Sequence, residues 1–177
     1  MEITADIVER ARRGDRAAMH QIYEQTVRYI GSVCSRYLGS DDDVRDTLQE
    51  TYITAFGSLD KFEFRGQSSV RSWITRIAVA KSVDLIRSRS KMITVDISGA
   101  ENEVEETPDI SSISQQDIMK AIRELPEGYR TVLNLYVFEN KSHKEISQML
   151  GISEGTSASQ YHRAKSALAA ALGRKHK

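Results

Sequence analysis

Apolar residues return every three or four positions along most of the chain, the period of amphipathic helices. From Met19 the series runs Ile22, Tyr23, Val27, Ile30, Val33, Cys34 and Tyr37, a stripe about five turns long. A short helix is expected before it, from a cap at Thr4 to about Arg13, stopped at Gly14; Asp15 then caps the long one. Gly39 ends that helix, and Ser40–Asp43 opens a third. Three aspartates in its first turn complement the positive end of the helix dipole. Val44, Leu48, Tyr52, Ala55 and Leu59 make its expected buried stripe. Residues 60–67 read as a loop around Gly66. Ser68 is expected to cap a fourth helix that carries Val70, Trp73, Ile74 and Ile77 inward and runs, with a break near Val79–Ala80, to about Arg89.

The period lapses over residues 93–112, which are acidic, contain Pro108 and read as a flexible linker. It resumes near Ser112. Ile118, Ala121, Ile122 and Leu125 belong to one helix. Pro126 stands where the next begins, and that helix carries Tyr129, Val132, Leu133, Leu135 and Tyr136. A short helix, Ser142–Leu150, a turn at Gly151 and a last helix from Ser153 to about Leu172 complete the chain. The pattern predicts an all-α protein of two small helical domains, 1–92 and 113–177, joined by the 93–112 linker.

Composition narrows the function classes. With 177 residues, 40% of them hydrophobic, and only two prolines, the chain has material for packed cores. No apolar run reaches the about 18 residues that a membrane span needs. The first fifteen residues carry Glu2, Asp6 and Glu9 and lack the apolar segment of a secretory signal, so the cytoplasm is the expected compartment. Cys34 is the one cysteine, which excludes an internal disulfide and a multi-cysteine zinc site. His20, His143, His162 and His176 have no ligand spacing, and neither a glycine-rich phosphate loop nor a nucleophile elbow is present. No cofactor, metal or catalysis of its own is expected. Asp42, Asp43 and Asp46 spell D-D-x-x-D, similar to the magnesium motif of helical isoprenoid synthases. Such a site needs a second acidic motif on a facing helix, and a capped helix start accounts for the same aspartates.

Net charge is zero, but it is partitioned. Residues 39–60 hold six acids and one base, residues 61–91 eight bases and two acids, residues 93–112 six acids and no base, and residues 113–177 ten bases and six acids. Adjacent patches of opposite sign suit a protein that meets both a basic partner surface and a polyanion.

Ser142–Leu172 has helix-turn-helix dimensions. Ile146, Met149, Leu150 and Ile152 are placed to bury against Ser157, Tyr161, Ala164 and Leu168, which share one arc of the last helix. The opposite arc holds Thr156, Ser159, His162, Arg163 and Ser166. Short polar side chains with one arginine let a helix approach a major groove, and Lys165, Arg174, Lys175 and Lys177 add charge for the phosphates. A helical hairpin with a solvated polar face has the same pattern, and a helix-turn-helix alone does not separate repressor, activator and initiation factor.

Three blocks carry a further resemblance. Asp43–Phe62 reads DVRDTLQETYITAFGSLDKF, Phe64–Arg89 reads FRGQSSVRSWITRIAVAKSVDLIRSR, and Leu125–Leu168 runs from LPEGYR through HKEISQMLGISEGTSASQYHRAKSAL. Together and in this order they resemble extracytoplasmic-function (ECF) sigma factors of the sigma-70 class: an acidic D-x-x-Q-E helix, an F-R-G-x-S-S block with W-x-x-R-I-A, and a helix-turn-helix with L-G-x-S-x-G-T. The resemblance covers nearly all of the chain. It implies that the first domain docks on core RNA polymerase through Asp46, Gln49 and Glu50. It implies that the second block opens and holds the −10 element of promoter DNA, with Arg65, Arg71, Arg76, Ala80, Lys81, Asp84 and Arg87 as its residues. A loop near Val79–Asp84 is the expected site of base capture, where Ala80 replaces the family's frequent asparagine. It implies that Thr156, Ala158, Ser159, Gln160, His162, Arg163 and Lys165 read the −35 element; Ala158 and Gln160 stand where relatives are often basic. The family is commonly held inactive by an anti-sigma factor, which makes one an expected partner. The competing reading is a stand-alone helix-turn-helix regulator that does not engage polymerase core. An acidic third helix beside a basic fourth one favours the sigma reading.

Overall fold

The computed structural model describes residues 2–89 and 113–173. Among the described residues all regular structure is helical. The expected linker, 93–112, and the basic residues Arg174, Lys175 and Lys177 lie outside them. Chain contacts divide the molecule into two compact units, Met1–Asp84 and Leu85–Lys177.

The first unit opens with α1 (Ala5–Arg12), capped by the Thr4 hydroxyl, which accepts from the Ile7 amide. Gly14 takes φ +88°, a conformation that glycine adopts without steric cost. Asp15 caps α2 (Arg16–Tyr37) by accepting from the Ala17 and Ala18 amides. Arg10 holds the same carboxylate at 2.6 Å, and that bond keeps the Asp15 carboxyl below its ordinary range. Ser40 caps α3 (Asp41–Gly57), so the three aspartates do sit in a first turn. A 3₁₀ turn, Leu59–Lys61, leads through Phe62–Gly66 to α4 (Gln67–Arg89).

Packing revises several expectations. On α2 Tyr23 is 39% exposed, and Thr26 takes its place inside. The hydroxyls of Thr26 and Tyr52 meet at 2.7 Å, so α2 and α3 share a buried polar contact. Burial pushes the Tyr52 phenol up to about 12. On α3 the buried side is Thr47, Thr51, Tyr52 and Ala55, while Val44 and Leu48 are half-buried and Leu59 is buried beyond the helix, in the 3₁₀ turn. α4 begins at Gln67, one residue before the expected cap. It shows no break at Val79–Ala80. Neither proline nor glycine lies there, and Ala78, Val79, Ser82, Val83 and Ile86 form its buried side. Cys34 is fully buried beside Ser82. Burial raises its thiol to about 11.

The second unit, which by these contacts begins within α4 at Leu85, holds α5 (Gln115–Glu124), α6 (Glu127–Val137), α7 (His143–Leu150) and α8 (Glu154–Gly173). Its core is Ile122, Leu125, Leu133 and Ala164, flanked by Ile118, Tyr129, Tyr161 and Leu168. Arg130 is buried and donates to the carbonyls of Arg123 (2.5 Å) and Leu125 (3.3 Å), which end α5. Ser142 and Glu145 form a reciprocal capping box at the start of α7, and Gly151, at φ +69°, closes its end.

Candidate partner and nucleic-acid interfaces

On α3 the spacing 46, 49, 50, 53 places four residues on one face. Asp46, Gln49 and Glu50 are all exposed. Ile53, next along this face, is 65% exposed, the most open large apolar side chain among the described residues. Sequence reasoning passed over Ile53 because it lies off the inward stripe. Its signal was an isoleucine one turn beyond two polar residues. An acidic face ending in an exposed isoleucine suits a basic partner surface, where the apolar part contributes area and the charges steer.

The −10 set divides on α4. Because the helix is unbroken, Arg76, Ala80, Asp84 and Arg87 share one exposed edge. This corrects the expected capture loop at Val79–Asp84: the segment is helix throughout. Arg71 lies elsewhere on the helix, its guanidinium 5.1 Å from the ring centre of Tyr29. Lys81 turns toward α3, with its ammonium 3.6 Å from the Glu50 carboxylate. The structure therefore brings together one residue expected to dock polymerase and one expected to meet DNA. Arg65 lies before α4, paired to Glu63 at 2.7 Å. Trp73 is half-buried, its ring 4.7 Å from that of Phe62, so it serves the packing of the loop.

On α8 Ala158, Ser159, His162 and Lys165 are exposed, and Thr156 and Arg163 are half-buried. The Thr156 amide donates to Ser153 Oγ at 2.9 Å, and the two hydroxyls meet at the same distance, so Thr156 also serves the start of α8. Lys165 lies over the Tyr161 ring, 4.9 Å from its centre. Gln160 must be withdrawn from the DNA-facing set. It is only 7% exposed, and a methyl group added at Gly128 of α6 would lie 3.2 Å from its amide oxygen. The reason is geometric: it falls between Ser157 and Ala164 on the inner arc, both fully buried. His143, first in α7, stacks on Tyr136 at 4.7 Å and meets Ser157 Oγ at 2.9 Å, which ties the two helices of the hairpin together.

Residues 22–92 match the Sigma-70 region 2 family and residues 115–168 the Sigma-70 region 4 family. Over 175 residues the chain is 31% identical to the ECF RNA polymerase sigma-E factor of Salmonella typhimurium, covering 92% of this chain and 90% of that one. The chain belongs to the ECF sigma factors. It is also 28% identical to the ECF sigma factor SigW of Bacillus subtilis, across 91% of this chain and 92% of that protein. Among solved structures, the sigma factor RpoE of Bartonella quintana, crystallised with the anti-sigma factor NepR, shares the fold with a TM-score of 0.50 and 21% identity over 87% of this chain and 96% of that one. α1, which precedes the region 2 match, is part of this sigma chain's first unit. No helix among the described residues is long and apolar enough to cross a membrane.

Proposed function

We propose that the chain acts as an alternative sigma factor: it binds core RNA polymerase in the cytoplasm and directs promoter recognition and transcription initiation without catalysis of its own. Residues 1–92 dock on polymerase and engage the −10 element, residues 113–177 read −35 duplex, and 93–112 join them. The observation that carries the docking role is the exposed α3 face of Asp46, Gln49, Glu50 and Ile53, in a chain whose two parts match sigma regions 2 and 4. Arg76 and Arg87, on the exposed edge of α4, supply charge that tracks a freed strand. On α8, Ser159, His162 and Arg163 are the residues that approach base edges and phosphates.

Co-elution of the purified chain with bacterial core polymerase tests this reading. The native chain is expected to co-elute, and an Asp46/Gln49/Glu50 triple-alanine variant to be lost from the complex. Ile53→Ala is expected to weaken the complex by about tenfold, the scale of removing part of one buried aliphatic side chain. A native chain that fails to bind core from its own source leaves the stand-alone regulator as the better account.

A further inference from the structure

α1 lies before the part of the chain that matches sigma region 2, yet it holds the segment that feeds α4. Arg12, its last residue, reaches across to two backbone carbonyls. Nε donates to Leu59 O at 3.1 Å and Nη2 to Phe62 O at 2.8 Å. Those carbonyls bracket the 3₁₀ turn Leu59–Lys61. The Glu9 carboxylate pairs with Nη1 and so orients the guanidinium. Beyond Phe62 the chain passes the Glu63–Arg65 ion pair, turns at Gly66 with φ +99°, and enters α4. Ser69 Oγ fastens the far side of that turn to the Arg65 amide and the Gly66 carbonyl.

Between α1 and this segment lies a cleft of about 440 Å³, lined by Val8, Glu9, Arg12, Asp60, Phe62 and Phe64. Side chains do not fill it. On this side the two guanidinium bonds hold the backbone of a segment whose Leu59 and Phe62 side chains are anchored by burial. A planar fork with a fixed angle between its donors sets both the height and the direction of a backbone, which a lysine ammonium does not.

We infer that Arg12 is a positioning residue for −10 recognition: by gripping the Leu59 and Phe62 carbonyls it sets how Phe64, Arg65 and the start of α4 are presented to promoter DNA. The inference rests on the sigma reading above. Arg12 touches no DNA in this scheme, and the α3 docking face is not involved.

The test uses holoenzyme reconstituted from the full chain and core polymerase, transcribing a pool of duplex templates randomised at the −35 and −10 positions, with the transcripts sequenced. Arg12→Ala is expected to lower the preference for the favoured −10 bases by about three- to tenfold, the scale of losing one ordinary hydrogen bond. The −35 preference and co-elution with core are expected to stay as in the native chain. Arg12→Lys is expected to recover less than half of the loss. Unaltered −10 preference in Arg12→Ala, or equal losses at −10 and −35, overturns the inference. Should Arg12→Ala fail to fold, judged by its melting curve, Arg12→Lys carries the test, and native −10 preference in that variant overturns it equally. Absence of any start-specific transcript from the native chain instead overturns the sigma reading, and this inference with it.

Discussion

Arg130 turns its guanidinium toward the carbonyls that end α5, groups that have no partner within their own helix. Burial lowers its affinity for its proton, yet arginine stays charged, so the interior holds a cation kept in place by backbone dipoles. Arg130→Ala takes those two bonds from the carbonyls and is expected to cost about 2–4 kcal/mol in a denaturant titration. An unchanged midpoint would mean that water satisfies the carbonyls instead. This role was hidden in the sequence, because an arginine in an L-P-x-x-x-R run reads as surface charge. Gln160 misled for a related reason. The resemblance carried it into the −35 set, but its place three residues after Ser157 and four before Ala164 puts it on the inner arc. Tyr23 and Thr26 exchanged places because a hydroxyl with a buried partner, here Tyr52, goes inside as readily as an aromatic ring. Pair contacts of this kind link distant segments and leave no local signature.

Helix starts were far easier to read, since a cap is a local arrangement. Thr4, Asp15, Ser40 and Ser142 each accept from an amide within the first turn, as their identities predict. At α7 the Glu145 carboxyl is held down to about 2, first by the backbone amide of Ser142, then by its hydroxyl, then by Lys141. A lowered folded value means that the fold prefers the ionised form. Its contribution is complete above the ordinary value of 4.5 and is lost as pH falls from there through about 2. Ser142→Ala is expected to destabilise the second unit by about 1 kcal/mol at neutral pH. The part of that gap owed to the hydroxyl's bond to the Glu145 carboxylate should fade across that acid window, as read by helical circular dichroism, while the part owed to the hydroxyl's bond to the Glu145 amide should stay. A gap constant down to pH 2 would mean that the hydroxyl acts through the amide alone. The break expected in α4 shows the limit of local reading. Val79–Ala80 carries no helix-breaking residue, so neither the break read from the pattern nor the loop implied by the resemblance forms, and the unbroken helix is what lines up Arg76, Ala80, Asp84 and Arg87.

A chain whose −35 helix is sparing in charge is expected to draw its DNA affinity from assembly. The exposed arc of α8 offers few cations: Lys165 sits over Tyr161, and Arg163 is half-buried. With about two or three phosphates neutralised by this arc, the logarithm of affinity falls with a slope of about −2 to −3 against the logarithm of salt. The free chain is expected to bind promoter duplex no more tightly than about 10 µM at physiological salt, within the non-specific range. Holoenzyme is expected to bind far more tightly, because anchoring one domain raises the local concentration of the other to about the millimolar range. Fluorescence anisotropy over a salt series distinguishes the cases, and nanomolar binding by the free chain would contradict this division of labour. The all-helical plan was legible because periodicity is a long feature. The exposed Ile53 at the end of the candidate docking face was not, since one outward isoleucine looks like noise until the helix is seen in its bundle.

Cys34 gives the first unit a built-in clock. It is the chain's single sulfur nucleophile, closed in beside Ser82 of α4. A reagent that needs the thiolate must wait for α2 and α4 to part, so the rate of labelling counts openings of that bundle without any introduced probe. Slower labelling once polymerase is added would time how far assembly stills the bundle, with no signal from the rest of the chain to confuse the reading.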